Sequence, residues 1–181
     1  MRIGYTGRML RALAVLAALV PLAAAAQQPS RLDVAARQVA ALFLASCVQN
    51  AGHPAALRAW ATQTKIPLLP APGQAGFLKG APGTVFDASN PAGKYVIVSL
   101  DDGGCLVAAE AVNTAELVRA TEAALAQAAI TAVLEGDRAD ITDEQMRHRT
   151  YHASAGPRSW TLVLSFGPGL PSQAMLSAAA R

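Results

Sequence analysis

The chain has 181 residues, with 15 Lys+Arg, 12 Asp+Glu and a calculated pI of about 9.2. That length corresponds to one domain, large enough to bury a core without a dense disulfide framework. Three of the basic residues, Arg2, Arg8 and Arg11, crowd the amino terminus, where no acid accompanies them.

Those arginines precede an apolar run, ALAVLAALVPLAAAA, that is short and rich in small residues. The pattern reads as a signal peptide and not as a membrane span, which needs about 18 or more apolar residues. Ala24 and Ala26 stand at the −3 and −1 positions of an A-x-A cleavage site, and Pro21 ends the apolar helix before it. Residues 1–26 are therefore expected to be removed, leaving Gln27 as the new terminus and 27–181 as a single α+β domain. No cysteine follows the run and no Arg-Arg pair precedes it, which argues against a lipid anchor and a twin-arginine route. The processed chain is expected in the periplasm or secreted, with no stable membrane span. Losing three arginines leaves twelve basic against twelve acidic residues. A nucleic-acid partner, which demands a basic surface, is not expected.

The segment 31–52 carries apolar residues at helical spacing: Ala36, Ala40, Phe43 and Cys47 form one stripe, flanked by Val39 and Leu44. Asp33 suits the positive end of the helix dipole, and Asn50-Ala51-Gly52 is a stop signal. A second helix is expected from Pro54 to about Thr62, with Leu57, Trp60 and Ala61 inward. Residues 65–83, dense in proline and glycine, read as ordered coil whose Ile66, Leu68, Leu69, Phe77 and Leu78 must find cover. TVFDA, 84–88, reads as an edge strand, turned by Asn90-Pro91-Ala92-Gly93 into the next.

KYVIVSL, 94–100, and CLVAAE, 105–110, read as a hairpin across Asp101-Asp102-Gly103-Gly104. A two-residue Asp102-Gly103 turn would pair Leu100 with Cys105 and Val98 with Val107. One face would then hold Val96, Val98, Leu100, Cys105, Val107 and Ala109. Cys105 is thus inward on its hairpin, as Cys47 is inward on its helix. Two inward cysteines in an oxidising compartment most simply pair, and a Cys47–Cys105 bond would tie helix to sheet. The wide spacing is not that of a C-x-x-C redox pair.

Asn113 and Glu116 make a near capping box for a helix over 114–129, with Leu117, Val118, Leu125 and Ala128 to bury. A short strand is expected at 130–134, then an acidic irregular stretch at 135–146. RHRTYHA, 147–153, and WTLVLSF, 160–166, read as a second hairpin. A five-residue loop would place His148, Thr150 and His152 inward or at the sheet margin, with Arg147, Arg149 and Tyr151 outward. The even alternative would turn two arginines toward the core, which is costly. The tail holds AML, 174–176, as a segment for packing at an edge. The expected fold is α+β: an antiparallel sheet built from hairpins, helices packed on one face, one disulfide.

Three groups bear on function. His148 and His152 share a face, but the flanking Glu and third ligand of a zinc site are absent, so no metal and no cofactor is expected. Arg147, Arg149 and Tyr151 form a row able to grip an anion or a partner's carboxylates; the plainer alternative pairs these arginines with the acids at 135–144. Ser99, Ser154 and Ser159 lie in no G-x-S-x-G or S-x-x-K pattern.

FLASCVQN, GAPGTVFDAS and DDGGCLVAAE resemble segments of a family of small exported bacterial proteins of uncharacterised function. The resemblance implies export and brings no activity. The sequence is thus expected to encode a non-catalytic binding or interaction module with a protein or small-molecule partner in the cell envelope. The alternatives are a small periplasmic hydrolase using His148 or His152 with an acid such as Asp140, and a structural subunit of an envelope assembly.

Overall fold

A computed structural model describes residues 28–140, 145–167 and 172–181; residues 1–26, expected to be a signal peptide, lie outside the described residues. Helix α1, Arg31–Phe43, begins at a full capping box: Ser30 Oγ accepts from the Asp33 N–H at 3.1 Å, and Asp33 accepts from the Ser30 N–H at 3.0 Å. These two bonds satisfy N–H groups that an uncapped helix end leaves orphaned. They and Asn113 hold the Asp33 carboxyl below the usual carboxylate range, the Ser30 hydroxyl contributing most. The helix continues as a π-helical turn, Leu44–Val48, that carries Cys47 fully buried. Helix α2, Pro54–Gln63, packs Leu57 and Ala61 into the same core.

The sheet has seven antiparallel strands: β1 Gly83–Asp87, β2 Tyr95–Leu100, β3 Cys105–Val112, β4 Thr131–Ala139, β5 Arg147–Ala155, β6 Arg158–Phe166 and β7 Ser172–Ala180. Their spatial order is β1-β2-β3-β7-β6-β5-β4. Two meanders are joined by helix α4, Thr114–Gln127, and by the last strand, which enters the sheet between β3 and β6. Helices α1 and α4 lie together on one face. Arg37 reaches Glu116 at 2.5 Å, and Asn113 Nδ2 donates to Asp33 at 2.7 Å, so polar contacts lock the two helix starts. Beneath them Ile97, Val107, Leu176 and Leu164, one from each of four neighbouring strands, form a fully buried row. The expected α+β fold is this one.

The Cys47–Cys105 disulfide is present, with Cα atoms 5.2 Å apart and a sequence separation of 58. Closing a loop of that length removes about 4 kcal/mol of denatured-state entropy on the chain-entropy account. The hairpin bearing Cys105, however, pairs one residue away from the expected register. Its loop has three residues, Asp101 to Gly103, closed by the Leu100 N–H donating to the Gly104 carbonyl and the Gly103 N–H donating to the Leu100 carbonyl. Gly103 takes φ +94, the left-handed position that such a loop requires. Ser99 therefore faces Cys105, and the core face of β2 is Tyr95, Ile97 and Ser99, not Val96, Val98 and Leu100. Gly103 also sits against Gly52, whose N–H donates to the Gly103 carbonyl at 3.1 Å.

Four more expectations change. Residues 71–78 form helix α3, Ala71–Leu78, not coil. It packs on β1 and β2 on the side opposite α1, where it helps bury Val85 and Val98. Strand β4 does not stop at 134. It runs through the acidic stretch to Ala139 across a bulge near Glu135, because β5 offers it a ladder along its whole length. The tail is not an edge segment but the central strand β7, with partners on both sides. The β5–β6 hairpin has the even loop: Ala155 pairs with Arg158, leaving Gly156-Pro157 as a two-residue turn with Gly156 at φ +58.

Candidate functional site

That last register decides which side chains meet. In an antiparallel ladder directly paired residues share a face. Ala153, Tyr151, Arg149 and Arg147 lie opposite Trp160, Leu162, Leu164 and Phe166, on the helix-bearing face. His148, Thr150 and His152 are on the opposite face. Both assignments reverse the expected ones. Arginines are tolerated on the core side because Glu122 of α4 reaches both Tyr151 and Arg149, while Arg147 beyond them is exposed. Arg147 meets Asp137 at 2.6 Å, and Arg149 stands 3.6 Å from both Asp137 and Glu122. The Arg147 hydrogen bond holds Asp137 below the usual carboxylate range. Tyr151 is buried and donates to Glu122 at 2.7 Å, with the Arg149 guanidinium over its ring at 5.7 Å. Burial, with the Glu122 bond second, pushes its hydroxyl pKa up. Of the row expected to bind an anion, Arg149 and Tyr151 line a hollow of about 720 Å³ beside Glu122 and Ala126 of α4, Arg147 does not, and both arginine charges are already engaged by Asp137 and Glu122.

The helix-free face carries a more open opportunity. Register places Asp87, Val96, Ala108, Met175, Ser165 and His148 in one row across six strands. Val96, Ala108, Met175 and Ser165 floor a groove of about 620 Å³. Leu69 and Phe77, brought over by α3, line it with them, as does Met146, which precedes β5. Phe77 and Met175 are both more than two-fifths exposed, so the groove presents apolar surface to solvent. Polar groups, among them Asp87, Lys94, Glu110 and Ser165, stand around the apolar floor. Lys94 and Glu110 pair at 3.2 Å in an exposed position. Hydrogen bonds from Ser89 hold the Asp87 carboxyl below the usual range.

One polar feature in the row is built from three elements. His148 Nδ1 lies 2.7 Å from Ser165 Oγ on the neighbouring strand, and His148 Nε2 lies 2.7 Å from Asp140 Oδ2. Asp140 reaches the ring because its N–H donates to the Met146 carbonyl at 2.8 Å, folding the chain back beyond the end of β4. An ionised carboxylate only accepts, so Nε2 carries the ring proton. Nδ1 then accepts, and the Ser165 hydroxyl donates to it. The sequence offers His148 with Asp140 as candidates but gives no sign of Ser165. Its neighbours Leu162, Val163, Leu164 and Phe166 give no motif, and only the β5–β6 register could have found it.

His152 takes no part. Four residues along a strand separate it from His148 by about 13 Å, and its Nδ1 lies 3.2 Å from Arg181 Nη1. No group of three or more His, Cys, Asp or Glu is arranged to hold a metal among the described residues. No helix among them is long and apolar enough to cross a membrane. No family model matches the chain, and neither the curated proteins nor the solved structures contain a match to it.

Proposed function

We propose that this protein is an exported binding module that takes a small, largely apolar ligand into the groove on the helix-free face of its sheet. The observation that carries the reading is that groove: an apolar floor of Val96, Ala108 and Met175, walls including Leu69, Phe77 and Met146, and polar groups at its margins, Asp87 at one end of the row and Ser165 at the other. Small-molecule sites commonly have this constitution, and their volumes fall at about 300–1,000 Å³. Export is supported by the signal-like residues 1–26 and is compatible with the disulfide, since such bonds persist in oxidising compartments.

The test is a titration with N-phenylnaphthylamine, a probe that fluoresces in apolar surroundings, competed by medium-chain acyl esters. Saturable binding should be lost in Ala108→Trp, which fills the floor, and in Met175→Glu, which charges it. Binding unaffected by both would sink the reading. Export has its own check: the intact mass of periplasmic protein should correspond to cleavage between Ala26 and Gln27.

A further inference from the structure

We propose that Ser165, His148 and Asp140 form a nucleophilic centre that hydrolyses an ester bond of an acyl ligand in this groove. The proposal rests on the groove as the ligand site and adds to it the class of substrate, carboxylic esters with an apolar acyl chain.

A serine hydroxyl is a weak nucleophile unless a base stands within hydrogen-bond reach and a third group orients that base. Both conditions are met. Ser165 Oγ is 2.7 Å from Nδ1 of His148, and Asp140 holds the other ring nitrogen at 2.7 Å. The ring is used in the opposite sense to the familiar serine-hydrolase arrangement, in which Nε2 faces the serine; either nitrogen of imidazole accepts a proton. Ser165 is only 6% exposed, yet it lines the groove, so the hydroxyl is shielded from bulk water and open to a ligand. Met175, directly opposite Ser165 on β7, and Ala108 beyond it offer an apolar track for the acyl chain. Gln173, on the same face of β7 as Met175, also lines the groove.

In the first step the Ser165 Oγ–carbon bond forms while its proton passes to His148 Nδ1. The carbon–alkoxide bond then breaks, and the leaving alkoxide takes that proton. A water molecule next attacks the acyl-serine, its proton passing to Nδ1. The acyl–Oγ bond breaks and Ser165 recovers the proton. The products are a carboxylic acid and an alcohol, with no other reactant. Asp140 touches no reacting atom and is a positioning residue: it keeps the proton on Nε2 and so leaves Nδ1 free to act as base.

Two measurements test this on the full processed chain. A fluorophosphonate should add covalently to wild type, with peptide mass placing it on Ser165, and p-nitrophenyl butyrate should be hydrolysed. Ser165→Ala should abolish the adduct and reduce hydrolysis to background. His148→Gln should slow both by about 100-fold or more. Asp140→Asn should slow fluorophosphonate addition and lower kcat with KM unchanged, a pattern that mere loosening of the fold would not produce. Near-UV circular dichroism of Ser165→Ala, the smallest change, shows that folding is retained. Wild type that binds N-phenylnaphthylamine but neither takes up fluorophosphonate nor hydrolyses the ester overturns the nucleophilic centre and leaves the binding module standing. A Ser165 adduct with ester turnover, but without saturable probe binding, establishes the serine's reactivity and overturns the groove as its ligand site.

Discussion

The hydroxyl of Tyr151 donates to Glu122 across 2.7 Å, fastening the end of α4 to the half of the sheet formed after it. Burial is the main cause of the raised tyrosine pKa, and Glu122 adds to it. The unfolded chain releases this proton near pH 10, while the folded chain retains it. The group therefore contributes its full stability below pH 10 and loses it as pH rises beyond that value. Tyr151→Phe should lower stability by about 1–2 kcal/mol at neutral pH, from the lost hydrogen bond to a charged acceptor. It should also flatten the fall in urea midpoint above pH 10. An unchanged alkaline limb would show that the loss arises elsewhere.

Asp137 has the opposite sign. Its folded pKa is lowered, chiefly by the hydrogen bond from Arg147. The resulting stability is present above the unfolded value of about 4 and is lost as pH falls through the lower folded value. Asp137→Asn should therefore lessen the loss of stability between neutral pH and strong acid. Urea unfolding at a series of acid pH values measures it. The mutation also frees Arg147, so new binding of small carboxylates in Asp137→Asn would show that Asp137 occupies an anion site.

The disulfide should be complete in protein isolated without reductant. Ellman's reagent on denatured chain without reductant should find no thiol. Cys105→Ala should cost about 2–5 kcal/mol, read as a lower urea midpoint. A mutant that melts at the wild-type temperature would refute the bond's role in tying the first helix to the sheet.

Gly103→Ala probes the close approach beneath that bond. An added Cβ would come within 3.0 Å of the Gly52 Cα, at a position whose φ of +94 already disfavours a side chain. The loss should be about 1–3 kcal/mol, and Gly104→Ala, at a residue without positive φ, should cost less.

Local periodicity and capping signals determined helices α1, α2 and α4, the existence of both hairpins and the inward placement of the two cysteines, but not α3, whose proline and glycines read as coil. Cys47 follows a 3.6-residue stripe, and Cys105 follows its own strand's alternation with Val107 and Ala109, so neither depends on a distant partner. Strand β2 was ambiguous because both of its faces are apolar: Tyr95 and Ile97 on one, Val96 and Val98 on the other. A single extra loop residue, not hydrophobicity, chose between them. Strand β5 carries almost no alternating signal, and its register came from the Gly156-Pro157 turn. With Arg147 exposed and Asp137 and Glu122 at hand, arginines on the core side cost little. Strand β7, largely alanine and serine, has weak strand propensity, and only its two neighbours hold it in the centre of the sheet. The candidate site followed the same division. His148 and Asp140 could be named from the chain, but Ser165 joins them only through the pairing of β5 with β6, and the groove exists only because β7 and α3 complete its floor and wall.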